Sequence, residues 1–271
     1  MDAASLVAGL VTVTLWGSAF VAIRDAGEAM APGALALGRV LVSSAILRAI
    51  ALARREPLPS RRDLAVIGAF GTLWLGVYSV ALNEAERHVD AGAAAMLVGS
   101  GPLLIALLAG IFLREGFPRR LFSGCAIAFV GSSIIGFATS QAGSNVALGI
   151  ALLFIAVLAR VSAFQVTWLG CAAATLALLP FAPSLIQDMQ SAGETAIGLT
   201  IYLGIFPTAI GFATWSFALR RTSAGQMGAM LYLIPIVAVL LSWAILSEMP
   251  PWLAVAGGAL SLGGVYLARR D

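Results

Sequence analysis

The stretch DAGAAAMLVGSGPLLIALLAGIFLREGFPRRLFSGCAIAFVGSS, Asp90–Ser133, repeats its skeleton 133 residues further along the chain. Gly92 recurs as Gly225, Pro102 as Pro235, Glu115 as Glu248 and Pro118 as Pro251; Gly124 then recurs as Gly257 and Gly131 as Gly264. Leu113-Arg114-Glu115 and Leu246-Ser247-Glu248 each close a long apolar run. Six Gly, Pro and Glu identities in one gapless register mark an internal repeat, which constrains architecture before any single residue is read. In so apolar a chain, two related halves point to a membrane protein assembled from structural repeats.

Composition agrees. Of 271 residues, 60% are hydrophobic and 11% charged, with a mean hydropathy of +0.97. A soluble domain carries roughly 25% charged residues, so nearly all of this chain is expected in lipid. The net charge of +3 does not imply nucleic acid, because the basic residues flank apolar runs. All sixteen are arginine, which removes Schiff-base and P-loop lysine chemistry. Cys125 and Cys171 lie inside apolar runs, where a reduced, packed thiol is the simple reading. The first run lacks the basic start of a cleavable signal and reads as a permanent span.

A span needs about 20 apolar residues to cross a hydrocarbon core of about 30 Å. That rule gives Ala4–Ile23, Gly33–Ala53, Leu64–Leu82, Ala91–Leu113, Arg120–Ala138, a short run at Val146–Ala159, Ser162–Ala182, Thr195–Leu219, Ser223–Leu246 and Pro251–Ala268. The expected fold is an all-α integral membrane protein of ten transmembrane helices. With a cytoplasmic N-terminus, the inner loops hold Arg48, Arg54, Arg55, Arg61, Arg62, Arg114, Arg119, Arg120, Arg160, Arg220, Arg221, Arg269 and Arg270, and the outer loops only Arg24 and Arg87. The positive-inside rule then places both termini in the cytoplasm. Five spans per half is an odd number, so the halves, 1–140 and 141–271, are expected to enter the membrane from opposite sides as an inverted-topology repeat.

The sixth span does not fit. Val146–Ala159 would be about 21 Å long at 1.5 Å per residue, too short to cross. Gly9 aligns with Gly149 at an offset of 140, but Ala34 with Ala163 at 129. Some eleven residues of the first half, around Trp16–Gly27, therefore lack a counterpart near Leu158–Ser162. Either this span is degenerate and re-entrant, or residues have been lost at Leu158–Arg160.

Trp16-Gly17-Ser18-Ala19-Phe20 in the first span, Arg39 within the second, the paired Glu115 and Glu248, and the glycines of spans five and ten resemble the drug/metabolite transporter superfamily. Within it the chain is most similar to the ten-helix EamA-type exporters. The resemblance covers almost the whole chain and weakens at the sixth span. It implies efflux of small amphiphilic metabolites, often amino acids, through a central cavity between the halves, with the aromatic amino-acid exporters a neighbouring branch.

Arg39 is the most informative single residue, seven positions past Pro32 inside a span. A charge at such depth costs a few kcal/mol or more if it faces lipid. It reads either as a clamp for a substrate carboxylate, which guanidinium binds bidentately, or as half of an ion pair with Glu84. Glu84 is the candidate for a proton relay, being nearest to a span; Glu86, Asp90 and His88 read as solvated loop. Glu115 and Glu248 read as turn-and-cap residues ahead of Pro118 and Pro251. Pro102, Pro207 and Pro235 fall near mid-span, where each frees a carbonyl and kinks the helix, either to gate the cavity or as fixed packing. Candidate cavity-lining residues are Trp16, Ser18, Tyr78, Ser100, Trp168, Trp215 and Tyr232; aromatic faces suit flat amphiphiles and cationic amines. Trp252 and Trp243 read as interfacial belt. The glycines of spans five and ten suit close helix packing, and self-association there is allowed but not required.

The expected activity is export by alternating access at a bacterial-type inner membrane. The implied partners are a small-molecule substrate and the bilayer, with no nucleic acid, cofactor or metal, and a monomer suffices. Two rivals are a passive channel or lipid-handling protein and an intramembrane enzyme. The enzyme would need catalytic groups at depth, whereas Asp25, Asp63, Asp90 and Asp188 all read as loop residues.

Overall fold

The computed structural model describes residues 1–56, 58–87, 118–139, 163–247, 249 and 251–269. Spans four and six, Ser100, Pro102, His88, Asp90, Glu115, Glu248 and the Leu158–Arg160 junction lie outside the described residues.

Every regular element among the described residues is helical. They are α1 (Ala3–Gly27), α2 (Pro32–Ala53), α3 (Arg61–Phe70 continuing through Gly71–Val77 and Tyr78–Ala85) and α4 (Arg119–Thr139). Then follow α5 (Ala163–Leu178, Leu179–Phe181, Ala182–Ser191), α6 (Glu194–Leu203, Gly204–Ile210, Gly211–Leu219), α7 (Ala224–Met230, Leu231–Leu233, Ile234–Leu246) and α8 (Trp252–Arg269). Among the described residues, six stretches are long and apolar enough to cross a membrane: α1, α2, Arg61–Glu84, Phe164–Ser191, Glu194–Leu219 and Ala224–Leu246. Starts follow local chemistry. Asp2 accepts the Ser5 amide at 2.7 Å ahead of α1, and Pro32 opens α2, where its missing N–H is no loss. Ser60 caps α3 and Ser223 caps α7.

The buried interior is rich in small residues such as Ala34, Ala36, Ala128, Ala174 and Ala238, while Val7, Leu52, Leu176, Ile245 and Trp252 stand exposed. This is the pattern for helices that associate by close packing and present bulky side chains to lipid.

Two features depart from the span reading. α5 does not stop near Ala182 but continues to Ser191, so Asp188 is a helical residue rather than a loop one. The continuation is feasible because Pro180 and Pro183 occupy the first positions of a 3-10 turn and of the next α segment, where no intrahelical N–H is missed. Asp25 and Asp63 likewise lie within the last turn of α1 and the first turn of α3. The second departure is a π-helical stretch in each of α3 and α6, at Gly71–Val77 and Gly204–Ile210. Gly204 is Gly71 plus 133, the register of the sequence repeat. Such turns are rare and often mark functional sites.

The chain packs as two compact units. One holds Met1–Val21, α4, α6 from Thr214, α7 and α8; the other holds Ala22–Arg87, α5 and α6 as far as Ala213. Each unit thus draws on both sequence halves. In the first, α4 and α8 meet along a glycine seam: a Cβ on Gly124 would stand 2.6 Å from the Gly264 carbonyl, and one on Gly131 would stand 2.5 Å from that of Gly257. The earlier glycine of α4 meets the later one of α8, so these repeat-related helices run antiparallel. In the second unit α2 and α5 do the same. Gly33 lies against Phe181, Ser43 against Cys171 and Arg54 over Phe164, one index rising as the other falls.

Candidate functional site

The second unit holds Arg39 and the residues packed around it. Its core joins Ala36, Leu37 and Val40 of α2 to Leu75 of α3, Cys171 and Ala174 of α5 and Ala209 of α6, with Trp74, Trp168 and Phe212 packed against it. Arg39 belongs to this assembly. Its Nε donates to the Thr208 hydroxyl at 3.3 Å, and the Tyr78 phenol and Cys171 thiol lie within electrostatic reach of the guanidinium.

The local sequence explains that bond. In an α-helix the Leu203 carbonyl would accept from the amide of residue 207, but Pro207 has none. The π register of Gly204–Ile210 sets residue 208 against that carbonyl, and the Thr208 hydroxyl donates to it at 2.8 Å. A hydroxyl has one proton, so with it committed to Leu203 the oxygen can only accept from Arg39. Gly204 lets α6 come this close: a Cβ there would sit 2.7 Å from the Arg39 carbonyl.

Glu84 does not pair with Arg39. It pairs with Arg87 at 3.7 Å, both side chains about half exposed, 51% and 48%. No acidic group among the described residues partners the guanidinium, and Nη1 and Nη2 carry no protein acceptor there.

Tyr78 stacks on Trp74 one turn back, ring centroids 4.5 Å apart and 2° from parallel. Trp74 was not among the sequence candidates; its spacing of four from Tyr78 on one helix face is the signal that could have found it. Glu86, read as solvated loop, is buried to 1% exposure and is felt by Tyr78. Helix α3 runs on to Ala85 and turns it inward. Trp168 packs in the same unit, its indole N–H buried without an acceptor among the described residues, an arrangement that costs about 1–3 kcal/mol.

The first unit gathers the other aromatics. Trp16 and Trp215 lie 5.4 Å apart at 36°, beside a Thr12–Thr214 hydroxyl contact of 2.8 Å. Ser18 turns back on its own helix, donating to the Leu15 carbonyl at 2.8 Å. Tyr232 is fully buried in the core with Leu121, Cys125 and Val265; in this structure it presents no surface to a ligand. Pro235 stands in the first turn of Ile234–Leu246, after a 3-10 turn, so the change of helix type precedes it.

Apolar spans, small-residue interiors and a charged side chain held inside one unit define a polytopic membrane protein, the class to which transporters belong. The profile described as the EamA-like transporter family matches residues 3–137 and again 142–270. The chain belongs to this family.

Relatives span its length. A probable terminal-alkyne amino-acid exporter of Streptantibioticus cattleyicolor is 35% identical over 96% of this chain and 92% of its own. An uncharacterized transporter of Bacillus subtilis, YdfC, is 29% identical over 96% of this chain and 89% of its own. A protein crystal structure aligns over 99% of this chain and 97% of that one, with a TM-score of 0.77 at 21% identity, a likeness of fold. The protein is a multi-pass membrane transporter of the EamA type.

Proposed function

We propose that this transporter exports amino acids or similar small carboxylated amphiphiles, aromatic ones among them, and that Arg39 grips the carboxylate. The observation that carries the reading is the Arg39 guanidinium. It lies inside a span, its Nε is committed to Thr208, and both terminal nitrogens lack an acidic partner among the described residues. A charge kept at such depth without a counter-ion is costly unless a ligand or cavity water supplies one. A carboxylate offers two oxygens to the two outer nitrogens. The stacked Trp74–Tyr78 pair, whose Tyr78 is within electrostatic range of Arg39, suits a flat apolar group on the same molecule. The Streptantibioticus relative, a probable terminal-alkyne amino-acid exporter, agrees in substrate class.

In this reading the chain is a ten-helix protein of two inverted repeats, 1–140 and 141–271, at the inner membrane with both termini cytoplasmic. It works by alternating access about a central cavity, drawing on a substrate gradient or ion exchange. The antiparallel packing of α4 on α8 and of α2 on α5 supports the inversion, and the arginine asymmetry supports the orientation.

Counterflow in proteoliposomes tests the reading. An alternating-access carrier shows trans-stimulation by unlabelled amino acid, and a channel does not. Arg39→Ala should lower uptake of labelled amino acid at least tenfold while the protein stays folded, as judged by its elution from a sizing column. Full counterflow by a folded Arg39→Ala protein would refute the clamp.

A further inference from the structure

We infer that Thr208 is a positioning residue that turns the Arg39 guanidinium end-on toward its ligand, and so sets the preference for carboxylates. The inference rests on the carboxylate reading of Arg39 and adds to it a direction and a cause.

Four facts lead to it. Pro207 leaves the Leu203 carbonyl without its usual amide donor. The Thr208 hydroxyl spends its proton on that carbonyl, at 2.8 Å, and is thereby left an acceptor. Arg39 Nε donates to it at 3.3 Å. A guanidinium can meet a carboxylate side-on, through Nε and one terminal nitrogen, or end-on, through both terminal nitrogens; with Nε occupied, only the end-on edge remains. The orientation is thus written into α6, and the ligand finds it already set.

The repeat shows that this device is one-sided. Arg39 corresponds to Trp168 at the offset of 129, and Thr208 to Leu75 at 133. Leu75 and Trp168 also pack within this unit, and the counterpart of Pro207 is Trp74. The π stretch is therefore present in both halves, but the proline, the hydroxyl and the cation occur together in one only. One carboxylate per transporter follows, as opposed to a symmetric pair of sites.

The test compares L-phenylalanine with L-phenylalaninamide, which keeps the ring and amine but replaces the anionic carboxylate with a neutral amide, by calorimetric titration of purified protein. Wild type should bind the acid at least tenfold more tightly than the amide. Thr208→Val, nearly isosteric but without the hydroxyl, should weaken acid binding about tenfold, leave amide binding unchanged, and so abolish the preference. Thr208→Ser should restore it. A purely structural role would weaken both ligands alike and would overturn the proposal, as would a Thr208→Val protein that keeps the wild-type preference. If Thr208→Val does not fold, Thr208→Cys, with its weak donor and acceptor, should give a reduced preference, and an undiminished one counts against the proposal. Arg39→Ala separates the two levels. If it keeps the acid preference, the carboxylate reading itself fails; if it loses the preference while Thr208→Val does not, only the positioning role fails. Wild type that binds neither ligand refutes the amino-acid reading, and the positioning role falls with it.

Discussion

Adding a single methyl group at Gly124 should loosen α4 from α8, and the size of the effect can be worked out. A Cβ there would lie 2.5 Å from the Ala268 nitrogen, 2.6 Å from the Gly264 oxygen and 2.7 Å from the Ala268 Cα. All three are backbone atoms, so no side chain can rotate aside. Ordinary contact is about 3.5–4.0 Å, so α8 must retreat by about 1 Å along the seam. A gap of that size forfeits a quarter to a half of each contact, and each is worth about 0.1–0.2 kcal/mol. If the seam makes about 40 close pairs, as one buried leucine does, losing about a third of their energy costs about 2 kcal/mol. That agrees with the usual 1–3 kcal/mol for overpacking. Gly263→Ala is the internal control: it lies one residue from Gly264, and its Cβ would meet nothing within 4 Å. It should be neutral or slightly stabilising, since alanine favours a helix. The reporter is built in, because Cys125 is fully buried beside Gly124. In a Cys171→Ala background, a thiol-reactive dye in detergent should label Gly124→Ala at a temperature several degrees below the parent, and Gly263→Ala at the parent's temperature. Equal melting of Gly124→Ala and Gly263→Ala would refute the seam.

Other outcomes follow from single contacts. Asp188 Oδ2 accepts the Ala31 amide at 2.8 Å, so Asp188→Ala should destabilise by about 1–3 kcal/mol in the same dye assay and Asp188→Asn by less. Asn83 Nδ2 donates to the Pro32 carbonyl at 3.0 Å, joining the end of α3 to the start of α2; Asn83→Leu should cost about 1–2 kcal/mol in thermal unfolding. The Trp16–Trp215 pair should show a coupling of about 0.5–1.5 kcal/mol in a double-mutant cycle to phenylalanine and alanine. Alkaline phosphatase fused to either terminus should be inactive and a green fluorescent protein fused there should fluoresce, if both ends are cytoplasmic.

How far the sequence carried depends on the kind of signal. Spans were legible because hydrophobicity is summed over twenty residues, so α2, predicted from Gly33 to Ala53, runs from Pro32 to Ala53. Arg39 was legible because a charge in an apolar run is conspicuous. Its partner was not: threonine is unremarkable in a membrane helix, and only the adjacency Pro207-Thr208 hints that a hydroxyl will answer for the missing amide. The π stretch of α6 has that proline as a marker, but Gly71–Val77 has no comparable signal, because a half-turn shift barely disturbs a helix that is apolar all round. Glu86 and Asp188 depart from the sequence expectation for a related reason. Charge at the end of an apolar run reads as loop, whereas α5 continues past Asp188 and α3 runs to Ala85, leaving Glu86 in the turn that follows but buried.

The antiparallel glycine seam also governs the order of assembly. α4 and α8 belong to the same unit yet stand more than a hundred residues apart in sequence, and α2 with α5 is almost as distant. A ribosome delivering spans one at a time therefore releases no unit complete in itself. α4 must wait in the bilayer with Gly124, Cys125 and Gly131 uncovered until α8 is synthesised. Non-local pairing of this kind is slow and leaves faces exposed to wrong partners. Substitutions that bulk up this stripe should hence lower the yield of inserted protein more than they lower the melting temperature of what does insert, and the waiting interval between α4 and α8 is where the chain would profit from a chaperone.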